Sequence, residues 1–369
     1  MYLYKQKKPN GDIYLAIKEK YHVPGKGARE RTIERIGYLS ELKDKYDDPI
    51  AYFTQYAKEL TNQMKKDNDI SLNISMNKKM TTDTNIIRNV GYGIIKEIYQ
   101  RLEINEFWSR KKLAFNINDV FLVLILSQIF NRHPACETLT NVPFFEPFNV
   151  SPHDIKEAQN IIRHNHHELQ KWIFNHTENL FANRDLNSLY LFDFDEEIDD
   201  EIVRVGLLLD TSGVPVACDF FSSDESEKTS IQKMIREMKN IFRNTHTIIV
   251  ARNELKELFE NRKGYNVIVS REYEKDILKI KEAYQDSDCI EADFTAHVIV
   301  RLLEKMLDDQ YSAEQIIESL KKYNCAKIGD SLWHFTYYDK ILEDCGKALR
   351  LSMDNEYRRQ NDIRRMLHY

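Results

Sequence analysis

SLYLFDF at residues 188–194, VRVGLLLD at 203–210 and VPVACDFF at 214–221 decide how this chain folds. Each is a short run dense in Leu, Val and Phe, the composition of a buried strand. The second and third meet at Asp210-Thr211-Ser212-Gly213, a turn sequence, because Asp bonds its own backbone in turns. Ser226 to Phe242 reads as a helix with Ile231, Ile235, Met238 and Phe242 near one face. THTIIVA (245–251) reads as a strand, Asn253 to Asn261 as a helix, YNVIVS (265–270) as a strand and Glu272 to Tyr284 as a helix. The order β-β-β-α-β-α-β-α predicts an α/β core: a mixed sheet flanked by helices.

On the N-terminal side, residues 1–40 read as a small β-hairpin module. Asn10-Gly11 sits between two alternating runs, a signal for a two-residue hairpin, and RTIERIGYL follows as a third run. Residues 41–80 read as a helix (Pro49 to Lys66) and a polar linker. Residues 83–183 read as a helical domain: Ile94, Ile95, Ile98 and Leu102 share a helical face, and a buried helix carries VFLVLILSQIF. Ser151-Pro152-His153-Asp154 opens a further helix through about Phe174. Residues 188–369 hold the mixed-sheet core, two C-terminal helices over 295–322, and short strands or turns before a basic final helix. The whole is α+β in class.

Composition sets limits. Of the 369 residues 42% are hydrophobic and 30% charged, which excludes a disordered chain. The net charge of −6 means that any nucleic-acid surface is local. Five cysteines without a CxxC pair point to reduced thiols. The start has no apolar signal-peptide core, and the most apolar run, Val120 to Leu126, is far shorter than the roughly 20 residues that span a bilayer. These features predict a cytoplasmic protein without a membrane partner.

Between Lys5 and Arg35 nine Lys/Arg stand against four acids. Lys5, Lys7, Lys8, Lys18, Lys20, Lys26, Arg29 and Arg31 have two readings: edge lysines that discourage strand pairing, or contacts to a DNA backbone. Asp193 lies in an apolar run at a predicted strand's C-terminal end. A desolvated carboxylate needs a cation or several donors, and a metal site is one solution. The other reading is that Asp193 only begins the acidic turn DFDEEIDDE, with seven acids in nine residues. Asp210 reads as a turn residue, Asp219 as lying at a strand edge, and His164 and His167 as ordinary helix surface. The sequence contains no Gly-rich phosphate loop, GxSxG or HExxH.

These segments together resemble the insertion-sequence DDE transposases of the IS-four-like superfamily. YLAIKEKY, RERTIERIGYLSEL and DDPIAYFTQYAKELT resemble the N-terminal module of one branch, and LILSQIFNRHPACETLTNVPFFEPFNVSPHDIKEAQNII its helical region. SLYLFDFDEE resembles the strand Tyr-Tyr-Asp-x-Thr that bears the first catalytic Asp. VGLLLDTSGVPVACDFFSSDESEKTSI resembles the hairpin and helix start that follow, with Thr229 at the family's Thr. The resemblance covers nearly the whole chain, and the order and spacing of its motifs carry it more than any one of them. It implies a ribonuclease-H-like core, Mg2+ (or Mn2+) as cofactor, the terminal repeats of an insertion sequence as DNA partner, and a homodimer or a pairing with an intact transposase.

The departures from the pattern carry equal weight. The family's second Asp stands in Ile-Val-Ala-Asp-x-Gly, whereas here Ile249-Val250-Ala251 runs into Arg252-Asn253-Glu254. A guanidinium repels Mg2+ rather than binding it. The helix signature Tyr-x-x-Arg-x-x-x-Glu that bears the family's Glu is missing between Tyr284 and His297, as an internal deletion would leave it. Asp193 is the position to which the resemblance carries a catalytic and metal-binding role, and Glu254 is a substitute candidate. Three readings follow: a DNA-binding transposase remnant with impaired catalysis, an active nuclease or transposase in which Glu254 or Glu291 substitutes, and a protein-interaction scaffold without a DNA role.

Overall fold

The computed structural model describes most of residues 1–67, 86–181, 189–222 and 289–367, with 247–251, 266–269 and isolated positions between them. The chain divides into two units, Met1–Thr84 and Asn85–Tyr369.

In the first unit β1 (Tyr2–Lys7), β2 (Ile13–Val23) and β3 (Gly27–Tyr38) form an antiparallel sheet in that order. The first loop differs from the predicted two-residue turn. Lys8 N donates to Asp12 O (2.8 Å) and Gly11 N to Lys8 O (2.9 Å), so the ladder closes at Lys8 and Asp12. A two-residue turn would need the N–H of residue 9 to close the ladder, and Pro9 has none. Gly11 takes the positive φ (+84°) that such a loop requires. The register of β2 against β3 shifts twice, between Leu15 and Ala16 and between Ile17 and Lys18, and such bulges sharpen the twist. A short α1 (Leu39–Leu42) follows, tied back to the first loop because Ser40 N donates to Asp12 Oδ1 (3.3 Å). Then α2 (Pro49–Asp67) packs on β1 with Leu15, Ile17, Phe53 and Ala57 buried.

The second unit begins with β4 (Ile87–Asn89), α3 (Tyr92–Arg101), α4 (Ile104–Ser109) and α5 (Ile117–Phe130). α5 is apolar on all sides and buried nearly throughout, as a helix at the centre of a core must be. Two helices, α6 (Pro152–His164) and α7 (His166–Thr177), replace the single one expected. Ser151 and Asp154 form the capping box that starts α6. The break falls at Asn165, whose side-chain amide donates to Ile161 O (2.7 Å) and so competes for a carbonyl of the helix it would continue.

A five-stranded sheet follows: β5 (Leu189–Ile198), β6 (Glu201–Leu209), β7 (Pro215–Ser222), β8 (Thr247–Ala251) and β9 (Asn266–Val269), in spatial order β7-β6-β5-β8-β9. β6 runs antiparallel to β5 and β7, whereas β8 is parallel to β5 and β9 to β8. The expected turn at 210–213 is present: Asp210 Oδ1 accepts from Ser212 N and Val214 N, each at 2.9 Å. The expected end of β5 is corrected. The acidic run does not turn at Asp193; β5 continues to Ile198, paired from Tyr190↔Leu209 to Ile198↔Glu201. In this register Glu196 is paired with Val203 and Glu197 with Ile202, so the acidic run continues as a ladder.

The remainder is α8 (Ile290–Met306), α9 (Ala313–Lys322), β10 (Asn324–Ile328), β11 (Leu332–Phe335), α10 (Lys340–Leu349), β12 (Tyr357–Arg359) and α11 (Gln360–Met366). β12, β11, β10 and the unexpected β4 form a second antiparallel sheet. Buried Asn89 fixes β4: its amide donates to Leu320 O (3.0 Å) and Asn324 Oδ1 (3.1 Å) and accepts from Tyr92 N (3.2 Å). α8 packs on α5, joining the helices to the five-stranded sheet through β7. The chain is thus mixed α and β, with helices and several antiparallel pairings. No helix among the described residues is long and apolar enough to cross a membrane.

Candidate nucleic-acid interface

Residues directly opposite one another in an antiparallel pair share a face of the sheet. In the first unit this rule separates two sets. The row Leu3↔Ile17↔Glu34 faces α2, because Tyr56 of α2 donates to Glu34 Oε2 (3.3 Å). The alternate rows, Tyr2↔Lys18↔Thr32, Tyr4↔Ala16↔Arg35 and Gln6↔Tyr14↔Tyr38, lie on the face opposite α2, as does Lys20↔Glu30. Four tyrosines and the cations Lys18, Lys20 and Arg35 therefore share one face. Lys8 joins them, bonded to Gln6 (3.0 Å) and 5.3 Å from the Tyr14 ring centroid.

Here the lysines are held against rings. Lys18 Nζ stands 3.5 Å from the Tyr4 centroid and Lys20 Nζ 5.5 Å from that of Tyr2. Tyr14 and Tyr38 meet edge to face at 5.3 Å. Glu30 lies among them, 3.6 Å from Lys18 and 4.0 Å from Lys20. Its hydrogen bond with Tyr2 pushes that phenol up to about 12 and, with the two lysines, draws Glu30 below the usual carboxylate range. Ammonium groups positioned between aromatic rings suit a ligand with a phosphate backbone and flat bases.

The other predicted cations are placed differently. Lys5↔Leu15, Lys7↔Ile13, Glu19↔Arg31 and Tyr21↔Arg29 belong to the α2-side rows. There Lys5, Lys7, Arg29 and Arg31 are exposed, and Arg31 Nε bonds Glu19 at 2.7 Å. Lys26 lies outside the described residues. The basic stretch is therefore two sets on opposite faces. Sequence reasoning did not single out the tyrosines or Arg35 with Lys8, Lys18 and Lys20; the period of two in Tyr2-x-Tyr4 and Lys18-x-Lys20 was the available signal.

In the second unit Asp193 sits mid-strand in β5, two residues beyond the last parallel pair with β8, Leu191↔Ile249. Arg252 and Glu254, which follow the end of β8, lie outside the described residues. Across the sheet Asp193 is level with Gly206, and Gly206 with Asp219 of β7, so two aspartates stand in one row.

A buried polar network connects α7, α8 and β7, and sequence reasoning missed it. β7 ends the sheet, so on its outer side the main chain of Cys218 needs partners other than a strand. Gln170 provides them: Nε2 donates to Cys218 O (2.8 Å) and Oε1 accepts from Cys218 N (3.2 Å). His166 Nε2 lies 2.9 Å from the same carbonyl and 2.8 Å from Gln170 Nε2, while Nδ1 lies 3.1 Å from Glu291 Oε1, an ion-pair distance. Burial alone would pull His166 down, but the hydrogen bond and charge of Glu291 outweigh it and hold His166 above its usual value. Burial would likewise push Glu291 up, and His166 instead holds it low. The Cys218 thiol is raised well above the usual range by burial and then by Glu291 and Asp219, which makes it a poor nucleophile. His164 and His167, by contrast, are exposed as expected. The stripe His166, Leu169, Gln170, Ile173, Thr177, all buried, was the signal for this network.

Comparison with family models, curated proteins and solved structures gives no match to this chain.

Proposed function

We propose that this chain is a cytoplasmic DNA-binding protein of the DDE-transposase type, with a ribonuclease-H-like core and an impaired catalytic centre. The observation that carries this reading is the sheet order β7-β6-β5-β8-β9. Three antiparallel strands followed by two parallel ones, with Asp193 in the central β5, is the layout the sequence resemblance implies. The tyrosine and lysine face of the first unit supports a role in holding DNA, whose phosphates reward clustered lysines. The proposed DNA is the pair of terminal repeats of an insertion sequence, bound by a homodimer or together with an intact transposase.

The donor set fits Mg2+ or Mn2+ poorly. Arg252 stands where the second carboxylate belongs, and its positive charge opposes a divalent ion. Glu291, a substitute considered on sequence, is buried and bonded to His166, so its charge is already matched. Among the described residues no group of three or more His, Cys, Asp or Glu is placed to hold a metal. Metal binding is accordingly weak in this reading, and no reaction step is assigned to it.

The test is a gel shift on DNA carrying the sequences that flank the coding region, with cleavage and strand transfer followed in Mg2+ and in Mn2+. Binding without cleavage is expected. Replacing Lys8, Lys18 and Lys20 by Gln together is expected to lower the salt slope of log K by about 2.7, at roughly 0.9 per lost phosphate contact. Cleavage that disappears in Asp193→Asn would refute the impaired centre. A salt slope unchanged by the triple substitution would refute the assigned face.

A further inference from the structure

A cleft of about 370 Å3 opens beside the second sheet, between β11 with the segment that follows it and residues 353–356. It is independent of the DNA reading. The rings of Tyr323, Phe335, Tyr337 and Tyr338 line it together with the carboxylates of Asp354 and Glu356. Tyr323 and Phe335 are buried with centroids 5.1 Å apart, while Tyr338, Asp354 and Glu356 are exposed. The hydroxyl protons of the inner tyrosines are engaged elsewhere. Tyr323 donates to Met353 O (2.9 Å) and Tyr337 to Asp339 Oδ2 (2.8 Å), and Thr336 likewise donates to Asn324 O (3.3 Å).

What remains toward the cleft is mainly ring surface and carboxylate oxygen, beside the Asn355 amide and His334, whose Nε2 is bonded to Glu356 Oε1 (3.1 Å). No lysine or arginine is among the residues that line it. Arg358 and Lys322 approach the rings of Phe335 (5.6 Å) and Tyr337 (6.0 Å) without lining the cleft. Anions are excluded by Asp354 and Glu356. A dehydrated metal ion is not served by two carboxylates among aromatic walls, since hard cations take six or more oxygen ligands. An organic cation meets both features: ring faces attract it and carboxylates accept its N–H groups.

We propose that this cleft binds an ammonium or guanidinium group carried on an alkyl stem. Two sources share that chemistry, a free polyamine and the basic side chain of a peptide. Calorimetric titration of the full chain with agmatine, spermidine and N-acetyl-lysine methylamide tests the site, with 1-hexanol as a neutral control. Saturable binding of the amines at millimolar concentration or below is expected, with none for the alcohol. Tyr338→Ala is expected to weaken it about fivefold and the pair Asp354→Asn, Glu356→Gln about tenfold, as cation–π and charge-assisted contacts imply. These side chains are exposed, so the variants keep the fold, which circular dichroism verifies. Tighter binding of spermidine or agmatine assigns the site to free polyamines, and tighter binding of the lysine derivative assigns it to a peptide side chain. No binding of any amine, equal binding of the alcohol, or affinity untouched by the substitutions would overturn the proposal.

Discussion

Replacing Glu291 by Gln should invert the pH dependence of the second unit's stability. In the native chain His166 is held above its ordinary value of 6.5 and Glu291 below 4.5, each by the other. A raised histidine contributes stability fully below pH 6.5, and that stability is lost as pH rises through the folded-state value. A lowered glutamate contributes above pH 4.5 and loses it as pH falls. The pair therefore stabilises most between pH 4.5 and 6.5. In Glu291→Gln the imidazole stays buried without its carboxylate, so burial pulls it below 6.5. The unfolded state then binds the proton more readily, and stability falls as pH drops below 6.5, the opposite sign. Removing one partner of a buried pair costs about 3–5 kcal/mol, and the amide oxygen, which still accepts from Nδ1, moves the expectation to about 3 kcal/mol at pH 6. For a unit of this size that is a fall in Tm of roughly 6–10 °C. The slopes cannot exceed about 1.4 kcal/mol per pH unit for one proton. All three tryptophans, Trp108, Trp172 and Trp333, lie in the second unit, so their fluorescence reports its unfolding alone. Thermal or urea unfolding at steps from pH 5 to 8.5 gives two curves, and their difference isolates the pair. Parallel curves across that range would refute the ion pair.

Gln170→Leu leaves the outward N–H and C=O of Cys218 short of partners and should cost about 2–4 kcal/mol in urea unfolding, with His166 still bonded to the carbonyl. Gly91→Ala would place a Cβ 2.0 Å from the Leu320 carbonyl oxygen, a backbone atom; a loss of at least about 3 kcal/mol is expected, although the φ of −59° at Gly91 suits alanine. Lys96, buried in α3, is pushed down to about 8 by burial against the attraction of Asp119 and Glu146. Its charge therefore opposes folding at neutral pH, and stability should climb between pH 8 and 10.5. Lys96→Met should remove that climb and raise stability at pH 7 by about 1–3 kcal/mol, measured by the same unfolding series.

What the sequence shows and what it hides follow from the range of each interaction. The strands at 203–209, 215–222 and 247–251, the turn at Asp210 and the helix start at Ser151 depend on neighbours within a few residues, and they were readable. β4 was not, because Ile87-Arg88-Asn89 has no alternation of its own; it exists because Asn89 reaches Leu320 and Asn324, more than two hundred residues away. The length of β5 was misread for a related reason. DFDEEIDDE has the composition of a loop, and only the partner strand, with Arg204 opposite Asp195, makes it a ladder.

The same distinction bears on the sites. Counting nine cations between Lys5 and Arg35 gives one basic surface, but the pleat divides them, and only the pairing register shows which stand beside tyrosines. Gln170 and His166 were the inverse case, polar residues at i and i+4 inside an otherwise apolar stripe. A helix does not bury two hydrogen-bonding side chains there without partners, since each unmet group costs about 1–3 kcal/mol. Such a stripe therefore predicts a backbone to be met across the interface, and the outer edge of a terminal strand is the commonest backbone left without one. Reading His166 and Gln170 as edge-strand partners places α7 against β7 from the sequence alone.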